Sequence, residues 1–241
     1  MRSVGLRILA IGLAALAAGC ATAPRTSVTK NTTRTFNTVV IDAGHGGKDN
    51  GAYRRSGGAE KVATLDVAKR LQKKLRESQF KTVMTRSSDV FIPLDERVAI
   101  ENSQKNAIFV SIHFNDSRRK AIHGFETYYH SPNSAELARR IQSKITTISR
   151  GSDRGVRTAN FRVIRLATYP AVLVECGFLS NRADGREAQD SDYRDLLADK
   201  IAEAIVELRY GSGVYRESGQ VAQTQPVSDN TGTASSPLRS R

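Results

Sequence analysis

AIFVSIHF, residues 107–114, is an apolar run broken only by Ser111 and His113. A strand with one wet face would alternate apolar and polar side chains. This one reads as covered on both faces, as in a parallel sheet sandwiched by helices. The segments around it fit. Upstream, NTVVID (37–42) and FKTVMTR (80–86) read as strands. Between them AEKVATLDVAKRLQKKLRES (59–78) reads as an amphipathic helix with Val62, Leu65, Ala68, Leu71 and Leu75 on one face. PLDERVAIENSQ (93–104) opens with a helix-starting proline and is expected to turn Leu94 and Val98 inward. Downstream, GFETYYH (124–130), FRVIR (161–165) and AVLVECGF (171–178) read as strands. SAELARRIQSKITTIS (134–149) and DYRDLLADKIAEAIVELRY (192–210) read as helices. The alternation predicts an α/β fold: a single domain with a twisted, mostly parallel sheet flanked by helices on both faces. In such sheets functional side chains gather beyond the strand C-terminal ends.

The 241 residues leave room for one domain plus its ends. Lys+Arg 37 against Asp+Glu 24 gives a net charge of +13, which favours acidic partners such as an anionic polymer or lipid. No long basic run or basic-aromatic interleaving occurs, so nucleic acid is not expected as a partner. The basic leader MRSVGLR precedes ILAIGLAALAA (8–18), an uncharged stretch too short to cross about 30 Å of hydrocarbon. Residues 1–19 are therefore expected to be a signal peptide. The following AAGC resembles the bacterial lipoprotein box, with Leu16 one place early and Ala17 in the usual leucine slot, and marks Cys20 for lipidation. Residues 20–35 read as lipid anchor and flexible tether, 36–210 as the folded unit, and 211–241 as a disordered polar tail. The expectation is an exported, periplasmic monomer held to a membrane through its N-terminal lipid. Ala21 behind Cys20 favours the outer membrane of a two-membrane envelope. With Cys20 acylated, Cys176 has no partner for a disulfide.

Three apolar strands end on titratable groups: His45 after VVIDAG, His113 in FVSIH and Glu175 after AVLV. A single histidine closing a strand is usually a satisfied structural residue, but three such ends in one parallel sheet converge on one crevice. Glu60 opens the helix that follows the His45 loop, so a strand-loop-helix connection returns it to the same edge. Its plain alternative is a favourable charge at a helix N-terminus. The loop GHGGKDNG could instead cradle a phosphate, yet Asp49 spoils both glycine-rich phosphate motifs, leaving the imidazole as the point of the loop. Two histidines and a carboxylate on separate elements form a usual donor set for catalytic Zn²⁺, with Glu175 as proton shuttle. That set suits amide hydrolysis.

VVIDAGHGGKDNGA, AEKVATLDVAKRL, TVMTRSSDVFIPLDERVAIEN, IFVSIHFN, GFETYY and AVLVECGFLSN together resemble the zinc-dependent N-acetylmuramoyl-L-alanine amidases (amidase type 3) of bacterial cell walls, over essentially all of 37–210. The resemblance implies one Zn²⁺ on His45, Glu60 and His113, a catalytic Glu175, and cleavage of the amide joining N-acetylmuramic acid to L-alanine in peptidoglycan. A non-catalytic peptidoglycan-binding or activator module on the same fold is the alternative. Some members carry a helix that plugs the site; the stretch from GFETYYH to FRVIR has room for one helix only, so an open site is expected. Asn115 and Arg165 are candidate substrate contacts, the latter for stem carboxylates. Strand alternation points Cys176 away from Glu175, as a buried structural thiol. His123 could help line the cleft, and His130 is expected at the surface.

Overall fold

A computed structural model describes residues 30–54, 58–148 and 153–215. The segments expected as signal peptide, lipidated Cys20, most of the tether and most of the C-terminal tail lie outside the described residues.

The chain runs β1 (Thr38–Ala43), β2 (Tyr53–Arg54), β3 (Gly58–Ala59), α1 (Glu60–Glu77), β4 (Lys81–Met84), α2 (Leu94–Asn102), β5 (Ala107–Asn115), β6 (Phe125–Tyr129), α3 (Ala135–Ile145), β7 (Asp153–Thr158), α4 (Arg162–Arg165), β8 (Ala171–Phe178), α5 (Arg182–Glu187) and α6 (Ser191–Tyr210). Six strands form one sheet in the order β4-β1-β5-β8-β6-β7, and β2 pairs with β3 in a separate two-stranded hairpin. All pairings in the large sheet are parallel except β6 with β8. The expected α/β architecture holds, and β5 and β8 lie at its middle.

Alternation along each strand divides the core in two. Val39, Ile41, Ile108, Val110, Ile112, Val172 and Val174 face a large cluster shared with α1, α3 and α6. Val40, Ala107, Phe109, Ala171 and Leu173 face a smaller cluster closed by Val163 and Ile164 of α4, with Val98 and Ile100 of α2 partly buried against it. Asp42, Ser111, His113 and Glu175 continue the phase of this second face.

Several local expectations needed correction. FRVIR is not a strand: residues 162–165 form α4, with Arg165 N–H donating to Phe161 O at 2.9 Å. Val163 and Ile164, consecutive in sequence, both pack into the same smaller cluster, which a helical turn allows and strand alternation, sending neighbours to opposite faces, does not. Strand β7, DRGVRT, lacks an apolar run because it is a sheet edge and half wet. On α1 the buried face is Ala63, Thr64, Val67, Ala68, Leu71 and Leu75, whereas Val62 is exposed. Leu94 is exposed too, with the cleft described below in front of it. Packing also starts before residue 36: Thr33 is buried, and Thr32 Oγ1 donates to Ala107 O at 2.5 Å. Past α6, Tyr215 Oη donates to Asp199 Oδ1 at 2.7 Å.

One buried carboxyl couples this framework to pH. Glu101 of α2 is fully buried and, among the described residues, accepts only long hydrogen bonds, from the N–H groups of Thr168 and Tyr169 at 3.3 and 3.2 Å. Burial outweighs them and pushes its pKa up to about 7. The folded state then binds a proton that the unfolded chain has released, so this group's contribution falls as pH rises from about 4.5 to 7 and stays low above. The full swing is on the order of 3 kcal/mol. Glu101→Gln is expected to raise the unfolding temperature at pH 8 and to leave it nearly unchanged near pH 4.5. Thermal unfolding of both proteins across that range checks it.

Candidate metal centre and cleft

The C-terminal ends of β1, β5 and β8 open into a cleft of about 780 Å³. Its floor holds three of the residues singled out above. His45 Nε2 lies 3.0 Å and His113 Nδ1 2.9 Å from the same atom, Oε1 of Glu60. One donor atom from each residue falls within 4.8 Å of the other two. Tetrahedral zinc with bonds of about 2.0–2.1 Å puts its ligand atoms on the order of 3.3 Å apart, so this donor set fits such an ion. Glu60 is fixed from two further sides: Phe114 N–H donates to Oε1 at 3.0 Å and Ala52 N–H to Oε2 at 2.8 Å. Burial alone would raise its pKa, but the hydrogen bonds from His113 and His45 outweigh burial and hold the carboxyl ionised well below its ordinary range. His45 gains proton affinity in return: burial opposes it, and Glu60 and Asp49 prevail.

Glycines make this approach possible. A Cβ on Gly44 would stand 2.4 Å from the His113 ring, and one on Gly51 would stand 2.4 Å from Glu60 Oε2 and 2.6 Å from the His45 ring. All three side chains press on backbone that only glycine supplies without a clash. His45 itself sits at φ 60°, the left-handed region that a histidine enters only when its surroundings enforce it.

The enforcement comes from residues the sequence reading passed over. Arg86 Nε and Nη2 donate to the carbonyls of Ala43 and Gly44 at 2.9 and 2.7 Å, and Arg97 Nη2 donates to the His45 carbonyl at 2.7 Å. Two buried guanidinium groups thus grip three successive carbonyls of the loop. Arg97 is neutralised by Asp42 at 2.7 Å, and Asp42 also accepts from Thr85 and Ser111, each at 2.6 Å. Burial disfavours the Asp42 charge, yet Arg97 and the two hydroxyls keep its pKa lowered. From the far side, Asp49 Oδ2 meets His45 Nδ1 at 2.8 Å, orienting the ring as carboxylates commonly orient histidine ligands. Asp42 carries a local signal of this pairing, because a carboxylate within a largely apolar strand is costly to bury unless it is paired or hydrogen-bonded.

Glu175 lines the same cleft and is paired in register with His113 on the neighbouring strand. Its Oε2 is buried and has no hydrogen-bond partner among the described residues. Burial, then the charges of Glu60 and Glu126, push its pKa well above the ordinary value. Glu126 stands opposite it on β6 and is held by Arg154 at 2.8 Å and Tyr128 Oη at 2.8 Å. Asn115 lines the cleft, its Nδ2 donating to Glu126 Oε2 at 3.2 Å. Arg165 does not line it; half-buried at the end of α4, it leaves that position to Arg162, which pairs with Asp95. Cys176 is buried in the large cluster on the opposite sheet face, its thiol pKa raised by burial. His123 lies at a separate small surface pocket with Asn181 and Glu187, and His130 is exposed. Helix α3 turns Leu137, Ile141 and Ile145 into the large cluster, and among the described residues between β6 and β7 none lines the cleft.

Comparison with known proteins supplies the context for this arrangement. Residues 39–207 match the family described as N-acetylmuramoyl-L-alanine amidase. LytC, an N-acetylmuramoyl-L-alanine amidase of Bacillus subtilis, is 40% identical over 173 residues, covering 70% of this chain and 35% of LytC. The chain thus spans about a third of that relative's length. YqiI of the same organism is 38% identical over 209 residues, covering 85% of this chain and 97% of YqiI. The solved catalytic domain of CwlV, an N-acetylmuramoyl-L-alanine amidase from Bacillus (Paenibacillus) polymyxa var. colistinus, matches with a TM-score of 0.69 at 40% identity, covering 71% of this chain and 97% of that one. With a match that runs from the first strand into the last helix and a fold shared with a solved amidase domain, the chain belongs to the N-acetylmuramoyl-L-alanine amidase family.

Proposed function

We propose that this protein hydrolyses the amide bond between N-acetylmuramic acid and L-alanine in peptidoglycan, with Zn²⁺ held by His45, Glu60 and His113 and with Glu175 moving the proton. The observation that carries the reading is the convergence of two imidazoles and a carboxylate on one point, with Glu175 beside His113 on the next strand in the same cleft, its Oε2 without a hydrogen-bond partner among the described residues. When bound, the ion supplies Lewis acidity, polarising a carbonyl oxygen and making water a competent nucleophile near neutral pH. The chain's own residues do the rest. Asp49 and the Arg86–Arg97 clamp hold the His45 ring in place. Glu175, with its elevated proton affinity and free oxygen, suits accepting a proton from the attacking water and delivering it to the departing alanine nitrogen. Asn115 is placed to meet substrate at the rim. In the same reading the protein is exported, anchored through a lipid on Cys20, and acts as a monomer on the wall. The basic surface would then favour contact with an anionic envelope.

Digestion of purified sacculi decides the matter. Mass spectrometry is expected to find intact stem peptides and peptide-free glycan. Chelator should abolish their release and added zinc should restore it. Binding to sacculi without release of stems, or products cut within the stem, would overturn the proposal.

A further inference from the structure

The cleft has two unlike walls. One is built from the β4–α2 connection and the starts of α2 and α4. Phe91, Leu94 and Phe161 line it while 40%, 53% and 43% exposed. The Arg162–Asp95 ion pair ties the two helix starts together, with Arg162 itself lining the cleft. Large apolar side chains left in solvent usually stand singly; three lining one wall of a cleft make a contact surface. Both rings are held by neighbours: Tyr128 meets Phe161 edge-on with centroids 5.2 Å apart, and Lys48 Nζ lies 4.7 Å from the Phe91 centroid. The other wall is polar. Asn115 and Asp116 line it, Arg54 pairs with Asp116, and the chain continues into Arg118, Arg119 and Lys120, exposed cations without a charged partner among the described residues. This loop is anchored, since Ser117 N–H donates to Ser180 Oγ and Asn181 Nδ2 to Lys120 O, both at 2.9 Å.

We propose that, granted the amidase reading, substrate crosses the cleft in one direction: glycan against Phe91, Leu94 and Phe161, and the carboxylates of the stem peptide toward Arg118–Lys120. A sugar ring has an apolar face of weakly positive C–H groups, which matches the negative face of an aromatic ring. The glycan next to the scissile amide carries no ionised group, so a cationic loop gains nothing from it. Stem carboxylates are the groups that guanidinium forks and ammonium ions bind. The amide that joins the two halves then falls over the floor, where Glu175 stands.

Four soluble substrates test this: a single N-acetylmuramic acid or a tetrasaccharide, each bearing a stem with free or amidated carboxylates. For the wild type, KM should drop about three- to tenfold with the longer glycan, and about fivefold with free carboxylates, the latter gain vanishing at high salt. Phe91→Ala with Phe161→Ala should erase the glycan gain and keep the carboxylate gain. Arg118→Gln, Arg119→Gln and Lys120→Gln together should do the reverse. A wild-type KM indifferent to both features would overturn the orientation whether or not the variants fold, and exchanged responses in variants that still release stem would overturn it too. A wild type that releases stem from none of the four would instead overturn the amidase reading, and the orientation with it.

Discussion

Glu175→Gln should lower kcat for stem release by about 10²–10⁴-fold, the span that a positioned proton carrier usually contributes. The same substitution should leave bound zinc at one per chain and the unfolding temperature equal to or above that of the wild type. The two signs differ for a physical reason. Glu175 is buried, one of its oxygens lacks a partner, and the carboxylates of Glu60 and Glu126 lie close enough to disfavour its charge. A neutral amide of the same shape relieves that repulsion while ending the proton traffic. Rates on a defined muropeptide, elemental analysis and thermal unfolding measure the three quantities. Activity within tenfold of wild type would remove Glu175 from the reaction.

The second large effect is on stability. Asp42→Ala should cost about 3–5 kcal/mol, because it strands Arg97 in the interior without its counter-charge. Thr85 and Ser111 lose their acceptor in the same step. Arg97 also holds the His45 carbonyl, so the damage should reach the metal centre, and zinc should be released at lower chelator concentration than from wild type. Denaturant unfolding gives the first number and chelator competition the second. A loss under about 1 kcal/mol would mean that water reaches Arg97 and the pair is not dry.

The sequence revealed the middle of the sheet and the reactive strand ends because both are written in local patterns. AIFVSIHF and AVLVECGF are almost wholly apolar since β5 and β8 lie between two layers of helices, and His113 and Glu175 stand out as titratable exceptions within them. What escaped notice depends on contacts distant in sequence. Arg86 and Arg97 look like surface cations until β1 delivers Asp42 and three carbonyls to them. Strand β7 is legible only by pairing with β6, since as an edge it needs no apolar face. FRVIR resembled a strand through its β-branched pair, yet the smaller core needed Val163 and Ile164 on the same side. Arg165 carries the charge a stem carboxylate would meet, yet it is Arg162, one turn earlier on α4, that lines the cleft.

The left-handed twist at His45 has a last implication. Because folding imposes φ 60° through buried arginines and leaves no room beside Gly44 and Gly51, the imidazole has already assumed its working pose before any ligand arrives. Under the proposed function an ion would then meet donors already in place, and its binding would demand no rearrangement of the loop. The rigidity also makes the centre brittle, since the loop has no slack with which to absorb an added methyl group.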